Sequence, residues 1–135
     1  MLKYMLDTNI AIYVIKRRPE GLLETFNTYA GHMCISCITL AELIHGVEKS
    51  SMPERNRRTV EDFVSRLEVL SYDDSAAAHY GEIRADLERK GMVIGVNDLH
   101  IAGHARSQGL VLVTNNSREF ERIEGLRITD WTTPD

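Results

Sequence analysis

Three acids stand in apolar surroundings where a freely solvated charge is out of place. Asp7 ends the short apolar run of "MLDTNI", Glu42 sits in "ISCITLAELIHG", and Asp98 sits in "VIGVNDLHIAGHA". A fourth, Glu119, follows "LVLVT" in "TNNSREF". Each has an ordinary structural reading. Asp7 or Asn9 suits a helix N-cap, Asp98 near a helix start gains from the helix dipole, and Glu42 and Glu119 read as exposed charges. Brought together they imply chemistry. Clustered carboxylates with no Cys or His among them suit hard Mg²⁺, or Mn²⁺ in its place, rather than zinc. Such sites activate water and stabilise charge on a phosphoryl oxygen. The reaction would be hydrolysis of a phosphate ester.

The elements that must position these acids are legible as alternating strands and helices. Short apolar runs at 3–6, 33–36, 68–71, 110–114 and 127–129 read as strands. Between them Leu40, Leu43, Ile44 and Val47 recur at helical spacing, as do Val60, Phe63, Val64 and Leu67, and Ala76, Tyr80, Ile83 and Leu87 form a similar stripe. Pro19 and Pro53 suit first-turn helix positions, and Gly91 and Gly109 suit helix stops. Strands alternating with helices predict an α/β fold whose mostly parallel sheet of four to five strands is covered on both faces. In such folds sites form beyond the carboxyl ends of the strands. Asp7 follows one strand and Asn115-Asn116 another, so both reach the same sheet edge. Glu42 is turned about 200° from Leu40 at 100° per residue, off the core stripe.

Composition bounds the rest. The 135 residues are 43% hydrophobic and 27% charged, with a net charge of −4; this suits one soluble domain over residues 1–135. There is no apolar run of membrane-spanning length and no signal-peptide layout at the N-terminus, so the expected compartment is the cytoplasm. A weakly acidic total argues against a general nucleic-acid-binding surface but leaves room for a local basic patch. The candidates are Lys16, Arg17, Arg18 and the Arg55, Arg57, Arg58 group.

Rival motifs fall short. Cys34 and Cys37 form a C-x-x-C, but no second pair exists to complete a zinc ribbon, and Cys34 lies within an apolar run; both read as reduced, partly buried thiols. His100 and His104 have the i, i+4 spacing of zinc ligands, yet Ile101 stands where H-E-x-x-H has its glutamate, so both read as structural. An aspartyl-phosphate phosphatase needs a second Asp two residues after Asp7, where this chain has Asn9.

With these residues in place the chain resembles the PIN-domain ribonucleases over nearly its whole length, and within them the VapC toxins of bacterial toxin–antitoxin pairs. "MLDTNI", "ITLAELIHG", "IGVNDLHIAGHA" and "LVLVTNNSREFERI" match the family's signatures in order, in wording close to the enteric and plasmid-borne branch. The resemblance implies a PIN-like three-layer sandwich and a Mg²⁺-dependent endoribonuclease that cuts initiator tRNA in its anticodon stem-loop. It also implies a homodimer, neutralised by a VapB antitoxin through which the complex binds operator DNA. Asp7, Glu42 and Asp98 fall on the family's metal-binding carboxylates. The family's fourth acid falls at Asn116, a departure that leaves either Asn116 or Glu119 to complete the catalytic set. Thr8, Asn9 and Asn115 look like groups that orient the ligands, with capping left to Thr8 and Asn9. The alternatives are a catalytically silent module that binds protein or RNA, and a metal-dependent phosphatase or DNA nuclease.

Overall fold

Tyr4, Met5 and Leu6 are all buried, yet they face two different cores, Tyr4 and Leu6 one way and Met5 the other. That alternation is the period of a strand covered on both faces. The computed structural model describes residues 1–133 and contains, in chain order, β1 (Tyr4–Leu6), α1 (Thr8–Lys16), α2 (Leu22–Thr28), β2 (Met33–Ser36), α3 (Cys37–Glu48), α4 (Pro53–Val64), β3 (Glu68–Leu70), α5 (Asp74–Arg89), α6 (Val96–Ser107), β4 (Val111–Val113), α7 (Ser117–Phe120) and β5 (Ile128–Thr129). The five strands form one sheet in the order β3-β2-β1-β4-β5, and every pairing is parallel. The three layers match the expected α/β sandwich.

The same period sorts the neighbouring strands. Met33 and Ile35 join Tyr4, Leu6 and Val113 against Ile10, Val14 and Phe26 of α1 and α2, with Leu43 and Phe63 of α3 and α4. Cys34 and Leu112 join Met5 against Ile83 and Leu87 of α5 and Leu99, Ile101, Ala102 and Ala105 of α6. Among the described residues no helix is long and apolar enough to cross a membrane. β1 is the central strand, with β2 on one side and β4 on the other. The chain goes from β1 to one neighbour and returns later to the other, so a crevice opens at their carboxyl ends.

Helix ends follow local chemistry. Pro53 is the first residue of α4, and Gly91 and Gly109 take positive φ after α5 and α6, where a left-handed residue is cheapest as glycine. Pro19 differs from expectation. It lies before α2, whose cap is Gly21, because Arg17 turns left-handed and closes α1 onto the carbonyls of Tyr13 and Val14.

α5 and α6 pack closely at a glycine. A Cβ on Gly103 would stand 2.8 Å from the Tyr80 nitrogen, 3.0 Å from its Cα and 3.2 Å from the Ala76 carbonyl oxygen. All three are backbone atoms, so neither helix yields without moving. Gly103→Ala should therefore destabilise the fold by about 1–3 kcal/mol in chemical denaturation, despite alanine's better helix propensity. Gly81 lies in α5 with nothing within 4 Å of an added Cβ, and Gly81→Ala should stabilise by about 0.5–1 kcal/mol.

Candidate active site

Asp7 leaves β1 through a backbone N–H that donates to the Val113 carbonyl at 3.0 Å, extending the β1–β4 ladder by one bond. Its extended backbone makes it the N-cap of α1, and its Oδ1 accepts from the Ile10 N–H at 2.9 Å. Capping therefore falls to Asp7 itself, and Thr8 and Asn9 lie inside α1. The cap occupies one carboxylate oxygen and leaves Oδ2 for something else. Only 3% of Asp7 is exposed. Burial pushes its carboxyl from 3.8 up to about 6, against the Thr114 hydroxyl and the Ile10 N–H, which stabilise the anion; the charges of Asp98 and Asp130 push the same way as burial. Thr114 is well placed to help, because its oxygen accepts from the Asn116 N–H at 2.9 Å and keeps its proton for another partner.

Glu42 is held from α1. The Thr8 hydroxyl donates to Glu42 Oε1 at 2.6 Å and stands 3.2 Å from the buried Thr39 hydroxyl. A charge-assisted bond of that length fixes the glutamate's rotamer. Thr8 thus orients Glu42, the neighbour of the acid it follows in sequence.

Asp98 stands in the first turn of α6, half-buried beside the other acids. Burial first, then the charges of Glu42 and Glu119, raise its pKa. Asp7 feels Asp98, and Asp98 feels Glu42 and Glu119, so the four carboxylates form one electrostatic group at the carboxyl edge of β1, β2 and β4. Among the described residues no three His, Cys, Asp or Glu side chains stand close enough to close on one ion. The all-oxygen donor set and the raised Asp7 and Asp98 fit a hard divalent ion.

The β4 end separates the two candidates for a fourth ligand. Asn116 caps α7 with no side-chain cap bond; its N–H donates to the Thr114 hydroxyl and its carbonyl accepts from the Phe120 N–H. Glu119 is the residue whose charge reaches Asp98. Asn115 gives its amide N–H to the Tyr13 hydroxyl at 3.2 Å, tying β4 to α1, while its buried Oδ1 has no protein partner. Asn9 lines a groove beside Glu42 rather than contacting Asp7. Sequence reasoning passed over Asp130. It follows β5, the strand expected at 127–129, at the same edge, so the rule that singles out Asp7 applies to it as well. Its Oδ1 accepts from the Thr132 N–H and hydroxyl at 2.8 and 2.5 Å.

His100 and His104 are tied into the packing of α6. His104 is fully buried in α6, and its Nδ1 meets the Ser36 hydroxyl at 2.8 Å. Ser36 Oγ in turn caps α3 by accepting from the Ile38 N–H at 3.1 Å. Burial lowers the His104 pKa, with Asp73 and the Ser71 backbone pushing the other way. The Ser36–His104 bond joins the two helices that carry Glu42 and Asp98. His100 bonds the Tyr72 hydroxyl at 2.7 Å and stacks on Tyr80 at 4.0 Å. Cys34 and Cys37 are free thiols, and burial pushes Cys34 up to about 12.

Comparison with known proteins reaches the same family by a different route. The family model described as "PIN domain" matches residues 4–126. The tRNA(fMet)-specific endonuclease VapC of Shigella flexneri is 60% identical over 98% of this chain and 100% of its own. Ribonuclease VapC2 of Haemophilus influenzae is 61% identical over 97% of this chain and 99% of its own. The crystal structure of DNA-bound VapBC from Salmonella typhimurium contains a chain 62% identical to this one, with a TM-score of 0.93 over 97% of this chain and 99% of that one.

The Asp7 environment makes a pH-dependent prediction for metal-free protein. A carboxyl raised from 3.8 to about 6 favours folding most below 3.8, and that contribution is lost as pH rises through about 6, a difference of about 3 kcal/mol. Asparagine keeps an acceptor oxygen for the Ile10 N–H. In EDTA, Asp7→Asn should be more stable than the parent near neutral pH by up to about 3 kcal/mol, with the gap closing towards about pH 4. A denaturation series showing a gap independent of pH would remove this role from Asp7.

Proposed function

We propose that this chain, which belongs to the PIN-domain family and within it to the VapC ribonucleases, is the toxin of a type II toxin–antitoxin pair and a metal-dependent endoribonuclease that hydrolyses initiator tRNA in its anticodon stem-loop. End-to-end identity of 60% with a tRNA(fMet)-specific endonuclease carries this reading. The electrostatic group of Asp7, Glu42, Asp98 and Glu119 supplies its chemistry. No observation favours a silent binding module, a phosphatase or a DNA nuclease.

Asp7 Oδ2, Asp98 and Glu42 would hold Mg²⁺, or Mn²⁺ in its place, with Glu119 in preference to Asn116 as the fourth acid. Such an ion, when bound, lends Lewis acidity to a phosphodiester oxygen and acidity to the attacking water. The protein's part is positional. The Ile10 N–H holds Oδ1 of Asp7 and so fixes the orientation of the carboxylate. Thr8 fixes Glu42, and the Ser36–His104 bond fixes the helices beneath Glu42 and Asp98. The unpartnered Asn115 Oδ1 is an acceptor for water at the β4 end.

Cleavage of a tRNA pool should require Mg²⁺ or Mn²⁺, stop in EDTA and vanish in Asp98→Asn; cleavage that survives both treatments would refute the metal-dependent reading. Thr8→Val should weaken Mn²⁺ binding, followed by titration calorimetry, by about 10–100-fold, the range for removing a group that orients a ligand.

VapBC complexes bound to DNA are known for relatives from Salmonella typhimurium and Rickettsia felis, and a VapB antitoxin that carries this chain to operator DNA is the partner expected here. Its seat is the apolar groove between α3 and α4, lined by Leu40, Ile44, Val47, Val60 and Val64. Ile44 is 47% exposed there. Ile44→Glu should weaken antitoxin binding at least tenfold, since covering a large aliphatic side chain contributes about 1.5–3 kcal/mol, while leaving the melting temperature near the parent's. Undiminished affinity would move the antitoxin to another face.

A further inference from the structure

RNA carries a dense negative charge, and this chain has a net charge of −4 with carboxylates at its candidate centre. Local cations must therefore offset the repulsion where the strand lies. Five of the twelve arginines are engaged by acids: Arg57 by Glu48, Arg66 by Asp62, Arg84 by Glu88, Arg89 by Asp86 and Arg106 by Glu82. Lys49 is exposed and makes no ion pair among the described residues.

Lys49 also faces the right way. Glu42, His45, Gly46 and Lys49 recur at i, i+3, i+4 and i+7 from α3 into its C-cap, and so lie along one stripe. The stripe walls a groove of about 540 Å³, whose other side is Thr8, Asn9 and Ile12 of α1 and whose end reaches Asn97, the residue before Asp98. At about 1.5 Å per residue, His45 stands ~4–5 Å and Lys49 ~10 Å along the helix from Glu42. The groove thus runs from the carboxylates to an unpaired cation. Its floor is low, since a Cβ on Gly46 would meet nothing within 4 Å, and a sugar–phosphate backbone needs that clearance. Asn9, His45 and Asn97 offer hydrogen bonds, and Ile12 and Ile38 offer apolar surface to a base.

Resting on the ribonuclease reading above, we infer that this α1–α3 groove binds the RNA strand flanking the cleaved bond, with Lys49 on a backbone phosphate and His45 hydrogen-bonding beside it. None of Lys16, Arg17, Arg18 or the Arg55, Arg57, Arg58 group lines this groove. Lys49 has a structural reading too, because a cation at a helix C-terminus complements the dipole by about 0.3–1 kcal/mol. That reading changes stability and leaves RNA affinity alone, so the two separate cleanly. The groove is more polar than the α3–α4 seat assigned to the antitoxin, and it opens directly on the acids, which favours a polyanion over a peptide as its occupant.

The test uses full-length protein carrying Asp98→Asn, so that RNA stays intact, and a fluorescent anticodon stem-loop oligonucleotide of initiator tRNA, with Mg²⁺ present. Anisotropy titrations across a salt series give the dependence of log K on log salt. Adding Lys49→Ala should weaken binding several-fold at low salt and reduce the slope by about 0.7, the share of one phosphate contact on a single strand. Lys49→Arg should restore the slope, and Arg89→Ala, which removes an exposed cation elsewhere, should leave it unchanged. In cleavage-competent protein Lys49→Ala should raise KM for the same RNA. An unchanged slope with Lys49→Ala overturns the groove while leaving the nuclease intact. Equal losses with Lys49→Ala and Arg89→Ala overturn it as well, since the effect would be overall charge. Weakened binding of a VapB antitoxin with RNA binding intact would give the groove to the protein partner instead. If the parent cleaves no RNA yet Lys49→Ala lowers RNA affinity and slope, the groove stands and the nuclease reading falls.

Discussion

Like charges gathered at one edge of a sheet repel, and much of this fold holds four carboxylates where they would not stay by themselves. Asp7 is fixed by the central strand and by the first turn of α1. Glu42 is fixed by a hydroxyl from that same turn. Asp98 is carried by α6, which cannot slide because Gly103 is wedged against the α5 backbone and His104 is bonded to Ser36. The raised carboxyls at Asp7 and Asp98 are the electrostatic trace of that arrangement. A divalent cation held there, as proposed above, would convert the same repulsion into attraction.

The Ser36–His104 pair shows how a buried polar group can serve such a site without touching it. Ser36 is six residues before Glu42, and His104 is six residues after Asp98, so each acid stands about 9 Å along its helix from the tie. The serine oxygen serves α3 as a cap and also bonds the imidazole Nδ1. Burial lowers the pKa of the ring and so disfavours its charged form. A hydrophobic pair at these positions would fill the volume but would leave the α3 N-terminus without its cap bond.

Strand positions were legible because each is a short apolar run whose alternate residues face two cores, as at Met33, Cys34 and Ile35. The acids were legible because a charge in an apolar run has few structural explanations, and Asp7, Glu42 and Asp98 do reach one edge. Of the two cap readings, Asp7 itself or its neighbours Thr8 and Asn9, the first holds. Asn9 has a good cap side chain, but the backbone turns helical at Thr8, so the cap is Asp7. Pro19 misled for a similar reason, since it has the residue type of a first turn while Arg17 and Gly21 decide where the turns fall. The tie between Thr8 and Glu42 and the way Lys49 faces the crevice depend on packing between distant segments. No local pattern encodes them.

Asp7 joins two tasks that separate on amidation. Its Oδ1 holds the start of α1 and needs only an acceptor, whereas its charge belongs to the crevice. One base change turns an aspartate codon into an asparagine codon. The outcome is a folded protein with its α3–α4 groove intact and its charge gone. With Asp7 as the proposed metal ligand and the α3–α4 groove as the proposed seat, such a copy beside an active one would still occupy antitoxin and withdraw it from the active toxin. Loss of activity at this residue is therefore not the same as loss of effect, and a harmless-looking allele can sharpen the potency of its neighbour.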